Sequence, residues 1–186
     1  MSVTLQWIPL GAGGRVVPVC GRVYEAICAG TARRRPRRLV HAALIVDVDA
    51  RRYAVEMAPA WGVPAADRGV RRTGPVGLGP LGMSRFFRYE IRCRPDGDIP
   101  DAAYAVQSRV ITEDPARSRR VVEYTGLVPE LTWGRRAPGT TEMWNSNSAV
   151  AWILAMAGLE MDPIGPSGGC RAPGWAAGVE LAGSGR

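Results

Sequence analysis

Apolar and polar side chains alternate most clearly from Phe86 to Arg94. One face of this segment carries the apolar residues Phe87, Tyr89, Ile91 and Cys93. The other face carries Arg88, Glu90, Arg92 and Arg94. A period of two is typical of a strand with one buried face. The segment is therefore predicted to be a half-buried strand.

Further strands are predicted near the N-terminus and in the middle of the chain. The segments His41–Val48 and Arg51–Met57 flank Asp49-Ala50, which indicates a β-hairpin with a two-residue turn. The opening segment 3–19 is predicted to form two extended pieces joined by the glycines at 11–14. Those glycines lack the spacing and the acidic residue of a dinucleotide site, so a hairpin turn is the preferred interpretation.

Helices are predicted where apolar residues recur at helical spacing or where capping residues occur. The predicted segments are 19–29, 100–108, 115–125 and 148–157. Asp114 is a typical N-cap, and Pro115 fits the first helical position. The segment 148–157 is apolar nearly all round, which predicts a buried helix.

Two segments rich in glycine and proline, 59–82 and 162–186, are predicted to lack regular structure, with Trp175 anchoring the second. The length of 186 residues fits one domain spanning 1–186, with an irregular C-terminal segment at 160–186. A hydrophobic fraction of 46% and a charged fraction of 22% agree with a globular chain.

Every basic residue in the count of 24 is an arginine, and against 17 acids this gives a net charge of +7. Without lysine, Schiff-base chemistry and the lysine-bearing phosphate loop are excluded. The positive charge favours a polyanionic partner. The run 33–38 is interpreted as a solvated loop. The alternative is a polyanion-binding patch formed by Arg33, Arg34, Arg35, Arg37 and Arg38.

The cysteines are widely separated and form no CxxC pair. They are Cys20, Cys28, Cys93 and Cys170. With His41 as the single histidine they do not complete a usual zinc set, so no cofactor is expected and the thiols are predicted to be small buried groups. No signal-peptide pattern and no long apolar window occur, which leads us to expect a cytoplasmic protein without a transmembrane segment.

Candidate chemistry is concentrated where the predicted buried helix begins. The residues there are Asn145, Ser146, Asn147 and Ser148. A helix N-terminus favours a developing anion because its N–H groups are unpaired and its dipole is positive there. The same residue types are ordinary helix caps, and for an isolated motif capping is the preferred interpretation.

The order of these motifs resembles the circularly permuted branch of the NlpC-like papain-fold hydrolases, which includes relatives of lecithin:retinol acyltransferase. In that branch a histidine opens a strand, a polar residue on the next strand orients it, and the nucleophile opens a buried helix. His41, Glu56 and Ser146 occupy these places, and the resemblance spans 41–158. It implies an α+β, papain-like fold in which an antiparallel sheet packs on the buried central helix.

Ser146 stands where the family usually has cysteine. An imidazole and a helix N-terminus can ionise a thiol in advance, whereas a hydroxyl must lose its proton during attack. Three explanations stay open: a true serine variant, a relative that has lost activity and kept binding, or an engineered replacement.

The predicted hairpin decides which carboxylate faces His41. If Asp49-Ala50 is the turn, Ala43 pairs with Glu56, and Glu56 then lies on the His41 face. A shift of one residue in the turn would make Asp47 the alternative.

Two functions follow from the resemblance. In the first, Ser146 attacks an amide, ester or thioester, His41 acts as general base and then acid, Glu56 fixes its tautomer, and the backbone amides of Ser146 and Asn147 hold the oxyanion. Asn145, Asn147 and Ser148 would line the binding site for a small-molecule, lipid or peptide substrate. The alternative is a catalytically inactive module that binds a peptide or an anionic partner.

Overall fold

The computed structural model describes residues 1–11, 25–60 and 68–185. Its strands are β1 (Ser2–Pro9), β2 (Val40–Val48), β3 (Arg51–Pro59), β4 (Val70–Pro75), β5 (Arg88–Pro95) and β6 (Gln107–Thr112). Its helices are α1 (25–31), α2 (Pro115–Tyr124), α3 (Ser146–Met156) and α4 (Trp175–Ser184). Over the described residues the fold is α+β, as predicted.

The strands of the described residues form a six-stranded antiparallel sheet in the order β4-β5-β3-β2-β1-β6. We call the side that carries Leu44, Val55 and Ile91 the helix face, because α2 and α3 pack on it. The opposite side carries Ile8, Ala43 and Ala54 and is called the second face. Successive residues of each strand therefore point alternately to the helix face and to the second face.

The β2–β3 hairpin has the predicted register. Val48 pairs with Arg51, and Leu44 pairs with Val55. The turn residues Asp49 and Ala50 have positive φ angles of 49° and 61°. Positive φ at both positions is the geometry of the tight turn that matches the twist of two paired strands.

The predicted strand at 86–94 begins two residues late. Phe86 and Phe87 belong to a 3-10 turn (Arg85–Phe87), and β5 follows it. The prediction that Phe87 is buried was wrong, since 45% of its surface is exposed. The strands β2, β3 and β5 lie side by side in one sheet, because β5 pairs with β3 and β3 with β2.

The helix α3 is the centre of the packed layer. Every residue from 146 to 155 is buried, which confirms the prediction for Trp152 and Leu154. The sheet covers one side of α3, and α4 covers another. A helix that is apolar on nearly every side is stable only with such cover.

The prediction that 162–186 lacks regular structure was wrong, because Trp175–Ser184 forms α4. Glycine at position 178 disfavours a helix when only the sequence is considered. In the structure, Gly178 lies where α4 meets α3. A Cβ atom at Gly178 would lie 2.1 Å from the carbonyl oxygen of Ser148. The glycine therefore permits the close contact of the two helices rather than ending α4.

Two other local predictions were wrong. The segment 100–108 was predicted to be a helix, but only Ala102–Tyr104 forms a 3-10 turn, and β6 starts at Gln107. Pairing with β1 outweighs the local helical pattern there. The irregular segment 59–82 contains β4, which pairs with β5.

Several of the sequence predictions fall wholly or partly outside the described residues. The second half of the 3–19 hairpin, the first part of the 19–29 helix and Cys20 lie outside the described residues. Cys93 is buried as predicted, whereas Cys28 and Cys170 are only half-buried. The helix α2 begins at Pro115 after Asp114, as the capping pattern predicts.

Candidate functional site

The first turn of α3 is closed by a reciprocal cap. The Asn145 Oδ1 atom accepts hydrogen bonds from the N–H groups of Asn147 at 2.9 Å and Ser148 at 3.2 Å. In return, the Ser148 Oγ atom accepts one from the Asn145 N–H at 3.1 Å. This capping box satisfies N–H groups that a helix start otherwise leaves unpaired.

Asn147 joins the start of α3 to the edge of β2. Its Oδ1 accepts from the Ala42 N–H at 2.7 Å, and its Nδ2 donates to the Val40 carbonyl at 3.0 Å. The described pairing of β2 with β3 begins at Leu44, so this part of β2 lies beyond that pairing. We call this place the β2 notch, defined by residues 40–43. The side chain of Asn147 occupies the notch and bonds to the residues on both sides of His41.

Ser146 and His41 are therefore brought to the same end of β2, but they are not bonded to each other. Ser146 is only 6% exposed, and within residues 1–11, 25–60 and 68–185 its hydroxyl forms no hydrogen bond. The His41 ring likewise forms no hydrogen bond within those ranges. Neither group is held by a side-chain hydrogen bond of the kind that occupies its neighbours in the cap.

The His41 side chain belongs to the second face. His41 pairs with Ile8 across β1 and β2, and Ile8 lies in the apolar cluster of that face. The apolar residues of α3 pack on the helix face instead. The start of α3 and the His41 ring therefore belong to opposite faces of the sheet.

The surroundings of His41 favour the neutral imidazole. Burial lowers the pKa of His41, and the nearby carboxylate of Asp101 raises it, with burial the larger effect. A neutral ring can accept a proton, which is the form that a general base needs. Asp101 is half-buried beside the 3-10 turn at Ala102–Tyr104.

Glu56 lies on the predicted face but has other partners. Its Oε1 is 3.4 Å from the Arg94 guanidinium and 4.0 Å from that of Arg92. Burial raises the pKa of Glu56, the charges of Arg94 and Arg92 oppose that rise, and the nearby carboxylate of Asp101 adds a smaller rise. No hydrogen bond or ion pair joins Glu56 to His41 among the residues described. Its charge is instead part of an ion network on the second face.

The carboxylate whose charge raises the pKa of His41 is Asp101, which sequence reasoning missed. Asp47, the alternative to Glu56, lies near the far end of β2, where it binds Ser2 and Arg52. Asp101 follows His41 by a long stretch of chain, so no spacing rule connects them. Only the packing of the 102–104 turn against the second face reveals the relation.

The predicted binding residues are occupied by internal bonds. The Ser148 hydroxyl lies 2.7 Å from the Gly174 carbonyl, and the amides of Asn145 and Asn147 both donate to the Pro173 carbonyl at 2.9 Å. These side chains hold the fold and have little capacity left for a ligand. The Asn147 N–H is also taken by the cap, so only the Ser146 N–H of the predicted oxyanion pair remains.

One member of the predicted arginine patch is not free. Arg34 binds both oxygens of the buried Glu25 carboxylate, which Arg171 and the Arg37 N–H also contact. We call this group the Glu25 cluster. The hydrogen bond from Arg34 is the largest cause that lowers the pKa of Glu25 to about 2. Arg33, Arg35, Arg37 and Arg38 are exposed.

The described part of the chain lacks two kinds of feature. It contains no group of three His, Cys, Asp or Glu side chains placed to hold a metal ion. None of its helices has the length and apolar character needed to cross a membrane. Comparison with family models, curated proteins and solved structures finds no match to this chain.

Proposed function

We propose that the chain is a papain-like hydrolase or acyl transferase of the permuted NlpC type, with Ser146 as nucleophile and His41 as general base. The observation that carries the proposal is the Asn147 side chain in the β2 notch. It holds the helix N-terminus against the strand residues on both sides of His41. Ser146 precedes Asn147 directly, and its hydroxyl has no bond among the described residues.

The proposed reaction uses an ordinary acyl-transfer sequence. The Ser146 Oγ forms a bond to the carbonyl carbon while its proton passes to the neutral His41 ring. The carbonyl electron pair moves onto oxygen, where the Ser146 N–H and the positive helix end stabilise it. When the intermediate collapses, the leaving group takes the proton from His41. Water or another acceptor then releases the acyl group.

Asp101 is proposed as the positioning residue in place of Glu56. A nearby carboxylate stabilises the imidazolium that forms during attack, and Asp101 is the carboxylate that raises the pKa of His41. The charge of Glu56 is balanced by Arg94 and Arg92. Replacement of Asp101 by asparagine should therefore affect the site more than replacement of Glu56 by glutamine.

The test is alkylation of the Ser146→Cys variant by a small haloacetamide near neutral pH. If Ser146 faces His41, the new thiol should have a lowered pKa and react faster than a thiol in the unfolded chain. His41→Ala and Asp101→Asn, each added to Ser146→Cys, should slow the reaction, whereas Glu56→Gln should not. Peptide mapping identifies the labelled cysteine, and the native cysteines serve as internal controls.

A second candidate function is an inactive module for an anionic partner. It is favoured by the absence of a bond between Ser146 and His41 and by the location of the ring on the second face. On this alternative, the Ser146→Cys thiol reacts no faster than an unfolded thiol, and His41→Ala leaves its rate unchanged.

A further inference from the structure

A loop on the β4–β5 side of the sheet exposes large apolar side chains. Met83 is 93% exposed, Phe86 is 63% exposed and Leu78 is 50% exposed. Phe87 and Leu81 are also exposed. We call residues 76–88 the apolar loop. A soluble chain seldom leaves so many large apolar groups together in water without a partner.

The base of the apolar loop is tied to the fold. The Gly77 N–H donates to the Trp133 carbonyl at 2.9 Å, and Arg135 Nε donates to the Gly77 carbonyl at 2.6 Å. The Val76 N–H donates to the Phe87 carbonyl at 2.8 Å, which closes the loop on itself. The apolar side chains are therefore presented outward by a bonded scaffold.

Arginines predominate in and beside this loop. Residues 68–89 contain five arginines and no Asp or Glu. Arg85 stacks over the Phe86 ring at 5.2 Å from its centroid, and Arg88 donates to the Thr73 hydroxyl at 3.0 Å. Neither Arg85 nor Arg88 forms an ion pair with a residue that the structure describes.

A cavity of about 300 Å³ lies beside the apolar loop, and Arg68, Thr73, Arg85, Arg88 and Glu90 line it. The single carboxylate among these residues, Glu90, is paired with Arg92 at 3.0 Å and with Arg68 at 3.5 Å. The charges of Arg85 and Arg88 are consequently not balanced by it. Guanidinium groups in such a place suit the oxygens of a phosphate group.

We propose that the apolar loop is a docking surface for an anionic phospholipid bilayer. Met83, Phe86 and the nearby leucines enter the interface, and Arg85 and Arg88 bind lipid phosphate groups. Apolar side chains bordered by cations are the combination that anionic membrane surfaces attract, because burial and charge attraction add. This surface lies apart from the β2 notch, so the proposal does not depend on the proposed catalytic activity.

The test is co-sedimentation of the full chain with vesicles. Phosphatidylcholine vesicles containing phosphatidylserine should retain the protein, and vesicles of phosphatidylcholine alone should retain much less. The double variant Met83→Ser with Phe86→Ser and the double variant Arg85→Gln with Arg88→Gln should each weaken binding to the anionic vesicles by roughly tenfold or more. Circular dichroism checks that both variants are folded.

Matched controls separate the apolar loop from general effects. Val110→Ser with Leu127→Ser removes two exposed apolar groups elsewhere, and Arg33→Gln with Arg35→Gln removes two exposed charges elsewhere. Neither control should change vesicle binding by more than about twofold. The proposal is overturned if the parent chain ignores anionic vesicles or if a control weakens binding as much as the loop variants. It is also overturned if glycerol phosphate, a soluble headgroup source, binds at Arg85 and Arg88 while vesicles do not.

Discussion

The start of α3 and the apolar loop reverse the usual placement of polar and apolar side chains. Asn145, Asn147 and Ser148 are polar and buried, whereas Met83 and Phe86 are apolar and exposed. The polar groups tolerate burial because each finds hydrogen-bond partners. The apolar groups stay in water because their loop is tied at its base and nothing in the described chain covers its tip. The interaction partners that a side chain finds, rather than its polarity alone, therefore decide whether it is buried or exposed in these two regions.

The largest effect in this comparison is expected from Asn147→Ala. The change leaves the Ala42 N–H and the Val40 carbonyl without the partners they have inside the fold. Each buried unpaired group costs about 1–3 kcal/mol, so the free energy of unfolding should fall by about 3 kcal/mol. Urea denaturation measures it. A loss below about 0.5 kcal/mol would mean that water replaces the side chain and that the notch is not a structural joint.

A somewhat smaller effect is expected from Glu25→Gln, and it should depend on pH. Because the pKa of Glu25 falls from 4.5 to about 2 on folding, its charge stabilises the folded chain above pH 4.5, and that contribution is lost as the pH falls towards 2. At neutral pH the variant should be less stable by about 2–3 kcal/mol. Denaturation at several pH values should show that the free energy of unfolding of the variant falls less steeply towards low pH than that of the parent chain. An equally steep fall would contradict the stabilising role of the Glu25 charge.

A smaller effect is expected from the neighbouring residues Arg34 and Arg35, which should differ in their contribution to the melting temperature. Arg34→Gln should lower the melting temperature, because it removes a partner of the buried Glu25 carboxylate. Arg35→Gln should leave the melting temperature unchanged, because Arg35 is exposed and its side chain has no ion pair in the described residues. Thermal unfolding of both variants at pH 7 measures the difference. Equal shifts would contradict the division of the run 33–38 into one bonded and several exposed side chains.

A small stability effect is also expected in the apolar loop. Met83→Ser should change the free energy of unfolding by no more than about 0.5 kcal/mol, because the side chain is almost wholly exposed. The same variant should contribute to the loss of vesicle binding. A large destabilisation would show that Met83 packs against the fold and is not available to a membrane.

The sequence pattern alone predicts several secondary-structure elements correctly. The Asp49-Ala50 turn, the Asp114-Pro115 helix start and the apolar run of α3 were all predicted, because each depends on residues close together in the chain. The face shared by His41 and Glu56 followed from the same turn.

Elements that depend on distant contacts were missed. The helix α4 has two internal glycines and is stabilised where Gly178 meets α3, and β6 is a strand because β1 pairs with it. The role of Asp101 beside His41 comes from the packing of a short turn, and Arg34 has a partner because Glu25 lies close to it in the fold. No spacing in the sequence indicates these relations.

The central claim, that Ser146 and His41 form one site, is tested most directly by an NMR titration of the His41 ring. His41 is the only histidine in the chain, so its ring C–H signals need no assignment by mutation. If the two residues face each other, the thiolate of Ser146→Cys should stabilise the imidazolium and raise the pKa of His41 above its value in Ser146→Ala. Equal His41 pKa values in the two variants would contradict the claim and leave Ser146 as a residue of the helix start alone.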